Sequence, residues 1–287
     1  MRVLVTGANG FIGRALGAAL EARGTPWRAA TRATVGEIGP QTDWRGALEG
    51  CDRVVHLANL AHAGGVPEAT LRAVNVEGTR RLAAQAAQLG VRRVVYVSSV
   101  KAAEPDDAYG EAKRAAEGVL GAISDLETVV LRPPLVYGPG VRANFLALLR
   151  AVDREWPLPL ATVRNRRSLV YVGNLADAIL RCLEAPEAAG RSYCVTDGEP
   201  ISTPELVRAL ARALGRRARL FALPPRLLEL LGALAGRGAS VKRLTRSLAV
   251  DDAPIRAELS WRPPFAFDEG MRRTAEWYLG ECQSRSR

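Results

Sequence analysis

The sequence predicts an α/β fold, a doubly wound parallel sheet with a smaller C-terminal lobe. Three observations carry that expectation. Short valine-rich runs alternate with amphipathic helical stretches from Arg2 to Arg132. A glycine-rich turn follows the first run. From Pro133 onward proline-rich turns break the rhythm. Strands alternating with helices imply right-handed crossovers and a parallel sheet.

Arg2–Thr6 reads as a buried strand, and residues 12–23 have helical spacing. Trp27–Thr31 reads as a second strand and Arg53–Leu57 as a third. Pro67–Leu89 reads as one long, Ala-rich amphipathic helix. Arg93–Ser98 is the fourth strand, followed by a helix over 109–122 and the strand Thr128–Arg132. Ser168–Val172 and the helix after it are expected to return to the same layer. Short helices at 203–214, 224–235 and 268–280 would form a lobe over the C-terminal strand ends, where open α/β sheets bind ligands. The expected division is 1–135 with 164–185 for the sheet domain, and 136–163 with 186–287 for the lobe.

The formal net charge is +10, and lysine occurs only at 101, 113 and 242. Anionic partners suit that balance. The arginines are dispersed and no nucleic-acid motif accompanies them, so nucleic acid is not an expected partner. Four cysteines (51, 182, 194, 282) lie far apart and only two histidines occur. That argues against a metal site or a disulfide framework. The chain opens directly on a strand, without a signal-peptide pattern. Its most apolar stretch, 220–235, contains Arg226 and Glu229 and is too short to span a bilayer. A cytoplasmic protein with no membrane span is expected.

Thr6–Gly13 reads TGANGFIG. Gly7 permits a tight turn after the strand, Gly10 lets backbone approach a pyrophosphate, and Gly13 lets helix and strand close up. Asn9, Phe11 and Ile12 complete the turn and open the helix, whose N–H groups favour an anion. In the first βα unit this is the Rossmann dinucleotide fingerprint. An acid at the end of strand two would bind a ribose 2′-hydroxyl. Here Ala30-Thr31-Arg32 stands instead, with no carboxylate before Glu37. Arg32, with Arg28 nearby, would pair with a 2′-phosphate, so NADP(H) is expected over NAD(H). Asp43 is placed to meet the adenine, and Leu57-Ala58-Asn59 to pass under the dinucleotide.

Tyr109 and Lys113 stand at i and i+4, so phenol and ammonium share one helix face. A nearby cation favours the phenolate, which suits Tyr109 as an acid/base at a carbinol or carbonyl oxygen. Ser98-Ser99 end the preceding strand, where a hydroxyl can bond the same oxygen.

Together with TGANGFIG, the segments VVHLAN (54–59), VNVEGT (74–79), VYVSSV (95–100), LRPPLVYGPG (131–140) and RRSLVYVGNLADAI (166–179) carry a resemblance. The chain resembles, over nearly its full length, the extended short-chain dehydrogenase/reductases of the NAD-dependent epimerase/dehydratase family. The resemblance implies Ser99 as catalytic hydroxyl, Pro133 against the nicotinamide, and Asn75 at a helix bend beside the cofactor. It implies Asn144 and Arg167 on the diphosphate of a UDP-linked sugar. Asn144 is equally a helix cap, and Arg167 equally a partner of a lobe carbonyl. Lys101 departs from the pattern, since dehydratases carry an Asp-Glu pair after the serine and this chain has Val100-Lys101. No carboxylate is placed to take the C5 proton, which disfavours dehydration. Lys101 would contact a phosphate or sugar hydroxyl, or stay a solvated loop lysine.

Two reactions then stand. Arg32 favours a 4-ketoreductase, and the short chain and SSVK segment resemble bacterial 4-ketoreductases, which implies a UDP-4-keto-6-deoxy-N-acetylhexosamine substrate in polysaccharide precursor synthesis. A UDP-hexose 4-epimerase is the alternative. A non-catalytic NADP-binding regulator is a lesser one, since Tyr109 and Lys113 are both present. The resemblance further implies a homodimer through the 67–89 and 109–122 helices.

Overall fold

The computed structural model describes residues 1–60, 66–236 and 238–284. In chain order the elements begin β1 (Val3–Thr6), α1 (Phe11–Ala22), β2 (Trp27–Ala30), α2 (Arg32–Val35), α3 (Arg45–Leu48) and β3 (Arg53–His56). Next come α4 (Glu68–Arg72), α5 (Gly78–Gln88), β4 (Arg93–Val97), α6 (Ala108–Gly121), β5 (Glu127–Arg132) and β6 (Leu135–Tyr137). Then follow α7 (Ala143–Asp153), β7 (Leu169–Tyr171), α8 (Val172–Glu184), β8 (Ser192–Cys194) and α9 (Thr203–Leu214). The chain closes with α10 (Pro225–Leu234), α11 (Gly238–Thr245), α12 (Ala253–Glu258) and α13 (Phe267–Ser284).

Two compact units divide the chain. The first comprises Met1–Pro134, Gly173–Val195 and Asp251–Arg262. Its six-stranded sheet has the order β2-β1-β3-β4-β5-β8, and every pair is parallel. Strand order reverses at β1, with β2 on one side and β3 on the other, so the crevice at the carboxyl ends opens there. Val5 lies opposite Ala29 and Val55, which brings the ends of all three strands level. β1 and β4 are buried along their whole length, the pattern of strands covered on both faces. On one face Trp44, Leu48, Leu82, Ala86 and Leu120 pack over Leu4, Val54 and Val94. Arg93 is buried beneath the sheet. Its guanidinium pairs with Glu127 at 2.6 Å and donates to the Cys182 and Ala185 carbonyls at 2.8 and 2.6 Å, which ties the end of α8 to β4 and β5.

Two expectations change. Residues 169–171 do not rejoin the main sheet. The apolar triplet Leu169–Tyr171 pairs in parallel with the matching triplet Leu135–Tyr137 in a separate two-stranded sheet. The place beside β5 goes to Ser192–Cys194, which is too short to show a period in the sequence. The Thr128 carbonyl and the Val130 N–H bond the chain just before it. The Pro67–Leu89 helix is also not continuous. A π-helical turn over Ala73–Glu77 separates α4 from α5. Asn75 sits in that turn, and its amide is spent on the backbone of Leu60, accepting at 2.7 Å and donating at 3.1 Å.

The second unit comprises Leu135–Val172, Thr196–Val250 and Pro263–Arg287. Tyr137 is fully buried, and its hydroxyl donates to Asp197 at 2.7 Å. Phe145, Tyr171 and Phe267 surround its ring. Buried Asn165 donates to Thr203 and to the carbonyls of Leu244 and Arg246, and accepts from the Thr203 N–H. That one amide gathers α9 and the end of α11 around the segment before β7.

Candidate active site

The glycine turn leaves β1 with Gly7 at φ +68, a left-handed conformation open to glycine. A Cβ there would lie 2.9 Å from the Ala58 nitrogen. One on Gly13 would lie 2.3 Å from the Gly7 oxygen and 2.5 Å from the Ala8 oxygen. The Gly10 N–H closes the turn on the Gly7 carbonyl at 2.9 Å, and the Asn9 carbonyl accepts from Arg14 at 2.9 Å. Among the described residues no side chain caps α1, which leaves the N–H groups of its first turn, Phe11, Ile12 and Gly13, for an anion.

The loop after β3 is fixed against this turn by residues that the sequence reading passed over. Thr6 accepts the N–H groups of Leu57 and Ala58 at 3.1 and 3.0 Å. Its hydroxyl meets His56 Nδ1 at 2.7 Å, and His56 Nε2 meets Thr79 Oγ1 at 2.9 Å. Thr79 donates its own proton to the Asn75 carbonyl at 2.8 Å. Thr79 must therefore accept from Nε2–H, which leaves Nδ1 bare to accept from Thr6. Burial holds the imidazole down to about 3, and the Lys113 charge adds to that, so His56 is neutral. A neutral, single-tautomer histidine thus joins the glycine turn to the π-helical turn. Further along the loop, Asn59 donates to the Leu57 carbonyl, while its buried Oδ1 has no partner among the described residues. An unpaired amide oxygen beside a cradle that a Cβ would fill fits a nicotinamide dinucleotide.

At the end of β2, Arg32 is 80% exposed and pairs with Glu37 at 3.0 Å. Arg28 turns elsewhere, donating to the carbonyls of Gly46 and Ala47. Asp43 is gripped by Arg45 through two side-chain bonds, which hold its carboxyl down to about 2.

α6 presents Tyr109, Lys113 and Glu117 on one face, four residues apart. Asp107 caps the helix by accepting the Gly110 N–H at 2.8 Å. Lys113 is buried. Its ammonium donates to the Val97 carbonyl at 2.9 Å and lies 4.6 Å from the centre of the Tyr96 ring. Burial pushes this lysine down to about 7, and Glu117 pulls the other way. Burial pushes the Tyr109 phenol up to about 12, and Asp107 adds to it. Glu117, unremarked in the sequence, staples the face in place: it accepts from Ser98 at 2.5 Å and pairs with Arg132 at 2.5 Å.

The two serines at the end of β4 are not equivalent. Ser98 gives its proton to Glu117. Ser99 Oγ accepts the Lys101 N–H at 3.3 Å, and its own proton meets no acceptor among the described residues. Beside it, the Val100 N–H donates to the Pro133 carbonyl at 3.2 Å, joining the serine turn to the end of β5. Lys101 folds back onto Asp107 and Asp106. The site therefore offers a hydroxyl whose proton is uncommitted among the described residues, a protonated phenol and a buried amine whose pKa lies near 7. Together they can exchange a proton with a carbonyl or carbinol oxygen.

Asn144 and Arg167 belong to the second unit. Asn144 is the second residue of α7 and exposed; its amide caps nothing and makes no hydrogen bond among the described residues. Ala143 before it has φ +52, a left-handed backbone that costs an alanine about 1 kcal/mol. Arg167 Nη1 donates to the carbonyls of Arg243 and Arg246. Its Nε and Nη2 make no hydrogen bond among the described residues.

The profile of the NAD-dependent epimerase/dehydratase family matches residues 3–195. A UDP-glucose 4-epimerase of Vibrio cholerae is 37% identical, over 96% of this chain and 95% of its own. Among solved structures, MoeE5 in complex with UDP-glucuronic acid and NAD superposes with a TM-score of 0.76 at 25% identity, over 98% of this chain and all of that one. A Thermus thermophilus UDP-glucose 4-epimerase in complex with NAD gives a TM-score of 0.72 at 27% identity, over 98% and 99%. Among the described residues no helix is long and apolar enough to cross a membrane.

Proposed function

The chain belongs to the NAD-dependent epimerase/dehydratase family, and we propose that within it the protein reduces the 4-keto group of a UDP-4-keto-6-deoxy-N-acetylhexosamine in polysaccharide precursor synthesis. The observation that carries this reading is the free Ser99 hydroxyl at the end of β4, beside a face of α6 that bears Tyr109 and Lys113. A nicotinamide dinucleotide, when bound, supplies the hydride. Ser99 bonds the sugar C4 oxygen and Tyr109 delivers a proton to it. The phenol, held up to about 12, keeps that proton until the oxygen turns basic. Lys113 holds the nicotinamide ribose and stabilises the phenolate left behind.

The backbone of Gly7, Asn9, Gly10, Phe11, Ile12 and Gly13 takes the pyrophosphate. Leu57, Ala58, Asn59, Asn75 and Pro133 line the rest, with Asp43 at the adenine. Arg32, with no carboxylate at the end of β2, favours NADP(H) over NAD(H). Asn144 and the unspent side of the Arg167 fork take the diphosphate of the sugar nucleotide. Lys101 closes the sugar end once it leaves Asp106 and Asp107. A homodimer through α5 and α6 belongs to the same reading.

Purified protein given UDP-4-keto-6-deoxy-GlcNAc should oxidise NADPH mole for mole. Tyr109→Phe should lose about a thousandfold in kcat while still binding the dinucleotide. A second reading, UDP-hexose 4-epimerase, is favoured by the 37% identical relative. Interconversion of UDP-glucose and UDP-galactose without net NADPH oxidation would establish it instead.

A further inference from the structure

α10 carries a row of leucines that no described residue covers. Leu227, Leu230, Leu231 and Leu234 are 42%, 57%, 48% and 79% exposed. Spacings of three and four residues put all four on one helix face. The opposite face is already spent on α11. Leu228 is buried, a Cβ on Gly232 would lie 2.5 Å from Val241, and Glu229 accepts the Thr245 hydroxyl at 2.9 Å. The row is thus the outer side of a packed α10–α11 hairpin, and contiguous apolar surface of that kind marks an interaction site.

The hairpin that carries the row is rich in cations. Between Phe221 and Val250 the sequence has five arginines and lysines (226, 237, 242, 243, 246) and one carboxylate, Glu229. Arg226, Lys242, Arg243 and Arg246 are exposed. We propose that the α10–α11 hairpin seats this chain on an anionic phospholipid bilayer, with the leucines at the acyl boundary and the cations among the head-group phosphates. A second copy is the poorer occupant. Pairing two such rows would set the same cations against one another, and the one carboxylate is engaged with Thr245.

The test is sedimentation of the full chain with vesicles of one part phosphatidylglycerol to two of phosphatidylcholine. The wild type should pellet, and pure phosphatidylcholine should bind it about tenfold more weakly. Leu230→Glu/Leu234→Glu should lower partitioning about a hundredfold. Both sites are solvent-exposed, so its thermal midpoint and its NADPH oxidation with the soluble sugar nucleotide should not change. Pelleting is read without turnover, so it stands or falls apart from the reaction proposed above. Wild type left in the supernatant, or both proteins pelleting alike, would overturn the docking. So would a wild-type dimer that the double variant splits into monomers without any vesicle binding.

Discussion

Replacing Lys113 with methionine should stabilise the cofactor-free chain while abolishing turnover. Burial takes this ammonium from 10.5 to about 7. Between those values the unfolded chain holds a proton that the folded chain has lost, so stability rises by about 1.4 kcal/mol per pH unit. At pH 7 and below, the wild type therefore carries a penalty of about 5 kcal/mol. Methionine removes that penalty and fills a similar volume. It forfeits the bond to the Val97 carbonyl and the contact with the Tyr96 ring, about 2 kcal/mol together. The net gain is about 3 kcal/mol at pH 7, or a midpoint about 5 °C higher for a chain of this size. The gap should close to near zero by about pH 9, because the cost of folding with a deprotonated lysine shrinks as the pH nears the value of the unfolded chain. Groups common to both proteins cancel in the difference. Thermal scans of both proteins across this range, without cofactor, measure it. A variant less stable at pH 7, or a gap that ignores pH, would refute the reasoning.

Three more perturbations follow from the same geometry. Glu117→Gln removes the anion that holds the Lys113 pKa up, so the limb of the kcat/KM pH profile set by Lys113 should move to lower pH, with kcat down about tenfold; a limb that stays put would contradict the coupling. Gly13→Ala places a Cβ 2.3 Å from the Gly7 oxygen. It should cost about 2–3 kcal/mol in urea unfolding and abolish dinucleotide binding measured by NADPH fluorescence. Tyr96→Phe deletes a buried hydroxyl that has no partner among the described residues and keeps the ring beneath Lys113. The variant should be more stable by about 1 kcal/mol at unchanged kcat, and a loss of stability would mean that the hydroxyl is bonded.

Features written in local chemistry are legible in the sequence. α9 matches the sequence reading because its Ser202–Glu205 capping box, its proline in the first turn and its left-handed Gly215 mark both ends. The three glycines at 7, 10 and 13 and the i,i+4 pair on α6 are local in the same sense. What depends on distant partners was hidden. Glu117 reads as an ordinary polar position on an amphipathic helix, and gains its role when Ser98 and Arg132 arrive from two strands. His56 sits in an apolar run, and its tautomer is set by threonines at 6 and 79. Arg28 looked like a second cation for the cofactor, yet its long side chain found the carbonyls of Gly46 and Ala47. β8 was missed because three residues carry no period. β7 was misassigned because its apolar run suits either sheet.

The most direct test of the Tyr109–Lys113 reading follows the hydrogen itself. With NADPH deuterated at the transferring position of C4 and the 4-keto sugar nucleotide as substrate, each turnover should place one deuterium at sugar C4 and release one NADP. The label should vanish in Tyr109→Phe along with turnover. Sugar product without deuterium, or UDP-glucose and UDP-galactose exchanging with no cofactor consumed, would contradict the account.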